Sequence, residues 1–135
     1  MTNEELEARV NHPSWYTKHP SGIECIDLIE HLPANLSLAV KYLWRCGLKE
    51  SEKPIRELKS ARWYTERERQ RIELFELSDD ELELKTGLVW RMLARKVVAV
   101  DPNTTLAGYL DALIYYDFSE MLMEIDAAIG VIENA

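Results

Sequence analysis

The feature that most constrains this chain is the apolar row Phe118, Leu122, Ile125, Ile129 and Ile132, spaced four, three, four and three. That rhythm is the period of an α-helix face and is incompatible with the two-residue alternation of a half-buried strand. Comparable rows recur upstream. Ile26, Leu28, Ile29 and Leu32 precede Pro33, and a second helix is expected from Leu36 to Cys46. Ile55, Leu58, Ala61, Tyr64, Ile72 and Phe75 mark a third; Leu82, Leu88, Val89, Met92, Leu93 and Val97 a fourth; Leu106, Leu110, Leu113 and Ile114 a fifth. No segment alternates convincingly, and no Asn-Gly pair signals a hairpin. The expectation is an all-α fold of five to seven helices.

Capping signals set the boundaries. Asn35 or Ser37 is expected to cap the second helix, with Gly47 just past its end, and Pro54 to open the third in the company of Ser51. Ser78 and Glu81 fit a capping box, Thr104 or Thr105 caps the next helix, and Asp117 with Glu120 starts the last if it is separate. Residues 10–22 hold Pro13, Pro20 and Gly22, so they read as an N-terminal Pro-rich loop rather than helix.

A length of 135 residues and 47% apolar content suit a single domain over 1–135 with its own core. No window of about 18 residues lacks charge, which argues against a membrane span. The charged N-terminus is unlike a secretory signal, so an intracellular location is expected, where Cys25 and Cys46 stay reduced. The net charge of −8 disfavours long nucleic acid as a partner. Its distribution matters more. Residues 1–75 carry 12 basic and 12 acidic residues, whereas 76–135 carry 4 and 12 and form an acidic helical extension. Within the first part, residues 41–71 carry ten basic against five acidic residues, enough for an anion site. Ordinary surface charge is the competing explanation.

Three groups have residue types suited to chemistry. Lys41, Arg45 and Lys49 recur every four residues and share a helix face, either as a phosphate-binding stripe or as solvated cations near the helix C-terminus. Glu24, Asp27 and Glu30 form an acidic stripe in which Glu24 and Asp27 can share a divalent cation such as Mg²⁺; an exposed acidic face or a salt bridge to the Lys41 stripe is the alternative. His12 lies beside Trp15 and Tyr16 in the Pro-flanked loop and can donate to phosphate or act as acid or base. His19 and His31 lack such a setting. No P-loop or G-x-G-x-x-G occurs, and no Ser or Cys stands at a recognised spacing from a His.

In order, the blocks Asn11-His12-Pro13-x-x-Tyr16, Gly22-Ile23-Glu24-x-Ile26-Asp27, Lys41-Tyr42-Leu43-Trp44-Arg45, Lys49 and Ala61-x-Trp63-Tyr64 form a set. This set, spanning residues 10 to about 72, resembles a small bacteriophage domain family often labelled phage nucleotide kinase. The resemblance implies a viral protein in the host bacterial cytoplasm that binds a nucleotide, with deoxynucleoside monophosphate kinase activity in at least one member. It carries over His12, Tyr16, Glu24, Lys41, Arg45 and Lys49 as ligand-binding candidates, with Trp63 or Tyr64 to stack a base and Glu24 with Asp27 to hold Mg²⁺. The family usually has a second His where this chain has Trp15, and Gly-Asn where it has Ser37-Leu38. The missing His and the acidic, apolar-striped residues 76–135 each suggest an alternative. One is a non-catalytic sponge that sequesters a host nucleotide signal in anti-defence; the other is a helical protein-interaction module that forms a homo-oligomer through its C-terminal helices or masks a host basic surface.

Overall fold

Backbone donors freed at helix starts need acceptors, and in this chain short polar side chains supply several of them. The computed structural model describes residues 2–4, 19–48, 53–75, 79–101 and 103–135, and of 47, 48 and 79–86 the backbone alone. Among the described residues there are six helices and no strand: α1 (Cys25–Ile29), α2 (Ala34–Leu48), α3 (Pro54–Phe75), α4 (Asp79–Val100), α5 (Thr104–Ile114) and α6 (Phe118–Glu133). The all-α expectation of five to seven helices holds. None of these helices is long and apolar enough to cross a membrane.

The caps differ from expectation in detail. Asp117 does start α6, accepting the Glu120 N–H at 3.0 Å, so the C-terminal rows belong to two helices. Asn103, not Thr104 or Thr105, caps α5, because its carboxamide oxygen reaches the N–H groups of Thr105 and Leu106. Neither Asn35 nor Ser37 opens α2, which already begins at Ala34, and Gly47 lies within it. Asn35 instead donates to Glu68 of α3 at 3.2 Å. Ser51 and Ser78 lie outside the described residues.

The largest departure is in α4. The apolar row read there included Leu88, Val89 and Met92, yet these are 78%, 59% and 59% exposed. Gly87 adopts φ 64° and ψ 169°, a conformation open only to glycine, and breaks the helix into two pieces. The break resets the phase, and Trp90, Ala94 and Val97, spaced four and three, point inward with no exposed surface.

The core joins all six helices. Leu28 of α1; Leu36, Val40, Leu43 and Trp44 of α2; Ala61 of α3; Leu106, Leu110 and Leu113 of α5; and Met121 and Ile125 of α6 are essentially without solvent contact. The helices α2 and α3 pair most extensively, α3 and α5 each pack on α6, and α4 packs on α5 and α1. One polar network is enclosed in this core. Glu68 is fully buried and accepts from Asn35 and, through both oxygens, from Arg71 at 2.7 and 2.8 Å. Beside it, the hydroxyls of Thr65 and Tyr109 meet at 2.7 Å, and burial pushes the Tyr109 phenol up. Such fully satisfied networks avoid the desolvation penalty of an orphaned polar group and fix helix register.

Candidate functional site

The described residues resume at His19, and the turn that follows is set by Pro20, Ser21 and Gly22. Gly22 takes φ 76° and donates its N–H to the His19 carbonyl at 3.0 Å. The Ser21 N–H and Oγ both approach His19 Nδ1, at 3.1 and 2.7 Å. A nitrogen receiving a backbone N–H carries a lone pair, so the imidazole proton belongs on Nε2. Nε2 faces Asp101 Oδ1 at 3.5 Å, both side chains wholly enclosed, and the ring leans on Trp44 of α2 with centroids 5.0 Å apart. Burial pushes the Asp101 carboxyl up, while the Asn103 N–H bond at 2.8 Å and His19 oppose that rise. Asn103 in turn donates to the Leu43 carbonyl. The turn at residues 19–22 is thus bolted to α2 and to the α4–α5 junction.

Serine, histidine and aspartate in a row invite comparison with a nucleophilic triad, but the surroundings argue for an anchor. Ser21 Oγ also accepts the Ile23 N–H at 3.1 Å, and the His19–Asp101 pair has no solvent contact. A nucleophile needs an approachable oxygen and a base able to exchange protons.

The predicted cations Lys41 and Arg45 share one half-exposed face of α2, one helical turn apart. Lys41 lies towards α1, where its charge draws the Cys25 thiol down; burial dominates and, with a smaller contribution from Asp27, pushes that thiol up to about 12. Arg45 lies towards α3. Its Nε stands 3.7 Å from Glu57 Oε1, an ion pair longer than a hydrogen bond, and the buried Nε–H has no hydrogen-bond partner. On the α3 side of α2, the rings of Tyr42 and Tyr64 stack 6.0 Å apart at 12°. Trp63 meets Tyr64 edge-on at 5.0 Å and is 60% exposed. Arg45 and the Tyr42–Tyr64 stack thus lie on the α3 side of α2 and Lys41 on the α1 side, with Trp63 an outlying aromatic on the same helix as Tyr64.

Glu24 and Asp27 occupy the start of α1 and close a reciprocal capping box, with Asp27 Oδ2 accepting the Glu24 N–H at 2.9 Å. Among the described residues no three His, Cys, Asp or Glu side chains gather as a metal centre requires. His12, Tyr16 and Lys49 lie outside the described residues. No protein-family model matches the chain, and no curated protein or solved structure is detectably similar to it. The phage-family resemblance accordingly rests on its five motif blocks.

A separate open groove of about 610 Å³ runs between the end of α3 and the α5–α6 turn, lined by Arg69, Ile72, Glu73 and residues 115–119. It contains none of the predicted residues. Its one cation is already committed, Arg69 binding both Glu66 and Glu73. Sequence reasoning passed over His19, Asp101, Glu57 and Tyr42. The first two are 82 positions apart and their pairing has no local signature. Tyr42 was legible as part of the Lys41–Arg45 block and carried the clearest missed hint.

Proposed function

We propose that this protein binds a small phosphorylated ligand of the nucleotide class at the α2–α3 edge. Lys41 and Arg45 neutralise phosphate there, and the Tyr42–Tyr64 stack or Trp63 receives the base. The observation that carries this reading is the pair of half-exposed cations Lys41 and Arg45 one turn apart on α2, with Arg45 meeting Glu57 only across a 3.7 Å ion pair. A guanidinium presents a planar fork of donors that suits bidentate binding of a phosphate. The His19 anchor adds support, because His19 packs on Trp44, the neighbour of Arg45 in α2. Asp27 spends one oxygen on the α1 cap, so its other oxygen and Glu24 would hold a Mg²⁺ whose remaining positions go to water and phosphate.

The phage origin, the host-cytoplasmic setting and the nucleotide kinase activity belong to the same proposal and draw on the motif resemblance. Calorimetric titration with deoxynucleoside monophosphates, nucleoside triphosphates and cyclic or ADP-ribose-type nucleotides tests it; absence of heat with every one of them ends it. With ATP, Mg²⁺ and a deoxynucleoside monophosphate, a kinase yields ADP and the diphosphate. A sponge instead returns its ligand unchanged after denaturation. The exposed apolar side of α4 favours a second reading, a helical interaction module, for which replacing Lys41 and Arg45 has no consequence.

A further inference from the structure

From Gly87 to Val100 the chain carries Arg91, Arg95 and Lys96 and not one acidic residue, in a protein whose net charge is −8. With Trp90, Ala94 and Val97 directed into the core, helical geometry turns Leu88, Met92, Arg95 and Ala99 to the opposite side, spaced four, three and four. Lys96 and Val100 flank that row, and Val100 is 49% exposed. Among the described residues neither Arg95 nor Lys96 forms an ion pair. A cationic helix with an apolar outward row is a surface that monomers seldom leave uncovered.

The opposite character appears on α6, which has Glu120, Glu124, Asp126 and Glu133 and no basic residue. Two of those acids are already neutralised, Asp126 by Arg62 at 2.7 Å and Glu133 by Lys59 at 3.3 Å, both from α3. Glu120 and Glu124 lie one turn apart on the same side of α6, and among the described residues neither forms an ion pair. The outward row beside them is apolar, with Met123 63% exposed, Val131 73% exposed and Ala127 between them. The two surfaces also match in length, about 20 Å for residues 88–100 and about 24 Å for α6 at 1.5 Å per residue.

We infer that the chain self-associates head to tail, the apolar–basic face of α4 in one copy docking on the apolar–acidic face of α6 in the next. Both helices pack on α5, so each copy presents both surfaces. An α4-to-α4 contact sets Arg95 and Lys96 against themselves, and an α6-to-α6 contact does the same for Glu120 and Glu124. Charge therefore selects the heterologous pairing, which closes into a ring or grows into a filament. The assignment is independent of the ligand site, because Lys41 and Arg45 belong to neither face.

Sedimentation velocity over the micromolar range tests it. Wild-type protein is expected to gain mass with concentration, and less so at high salt. The variants R95E/K96E and E120K/A127K alter exposed positions and should each sediment as monomers. Mixed together they should associate again, because the acidic α4 of one meets the basic α6 of the other; recovery on mixing also shows that both are folded. A wild-type monomer throughout the range overturns the inference. So does association that survives either charge reversal, or a monomer that binds phosphatidylglycerol vesicles through Met92 without self-associating.

Discussion

Arg45 Nε stands 3.7 Å from Glu57 Oε1, close enough for attraction and too far for a hydrogen bond. Glu57 is nearly buried and its second oxygen has no hydrogen-bond partner, so the pair is held in place without being consummated. In the proposed site the Glu57 charge opposes an incoming phosphate while keeping Arg45 close at hand. Glu57→Gln removes the competing charge and is expected to tighten nucleotide binding by up to about tenfold, equivalent to about 1.4 kcal/mol. Calorimetry on the variant measures this directly, and weaker binding contradicts the competition argument.

Arg71 holds Glu68 through both carboxylate oxygens where the end of α3 packs on the start of α2. Arg71→Ala leaves a fully buried carboxylate with Asn35 as its remaining side-chain donor. Breaking a buried pair from one side commonly costs 3–5 kcal/mol. Arg71 keeps about a third of its side chain in solvent, which reduces the expected loss to about 2–3 kcal/mol. Urea denaturation followed by circular dichroism reads that value; a loss below about 0.5 kcal/mol, the range of ordinary surface changes, contradicts the network's role.

Burial lifts the Cys25 thiol to about 12 and also raises Cys46. At pH 8 the Cys25 thiolate then amounts to about one part in ten thousand, and the thiolate is the reactive form. Native protein should leave Cys25 unlabelled by iodoacetamide while urea-unfolded protein reacts at both cysteines. Mass mapping of the alkylated peptides distinguishes the two, and prompt native labelling at Cys25 contradicts its placement.

The sequence disclosed the class of the fold because its rows at four-three spacing are local. The second row of α4 shows where that reasoning stops. Leu88, Val89 and Met92 looked like core, but Gly87 shifts the helical phase and gives the inward side to Trp90, Ala94 and Val97. Nothing in the residue types announces a phase reset, since glycine within a helix is tolerated. Asn35 and Asn103 illustrate a second limit. Both are good capping residues, yet Asn35 is drawn to Glu68, 33 positions away, and only Asn103 caps. Of the candidate site, Lys41 and Arg45 were visible through their spacing on one helix. The partners Glu57, Tyr64 and Trp44-bound His19 become neighbours only when α1, α2 and α3 pack.

Burial, and then the adjacent charge of Glu120, raise the Glu124 carboxyl above its ordinary value. With the folded value above the unfolded one, ionising Glu124 opposes folding. The penalty is in full force at neutral pH and fades as pH falls through the raised value towards the usual carboxylate range. Glu124→Gln mimics the protonated group, so in dilute solution its Tm should exceed that of the wild type at pH 7. The difference should vanish near pH 4, about where an unperturbed glutamate titrates. A lower Tm at pH 7 contradicts the assignment.

The dissociation constant of the tightest-binding nucleotide, measured by calorimetry for the wild type and for Lys41→Ala/Arg45→Ala, tests the ligand site most directly. Two charge-assisted contacts are lost, each typically contributing about 1.5–3 kcal/mol, so affinity should fall at least a hundredfold, or about 2.7 kcal/mol, in a variant whose helicity and Tm are retained. An unchanged dissociation constant contradicts the site, as does a wild-type protein that takes up no nucleotide at all.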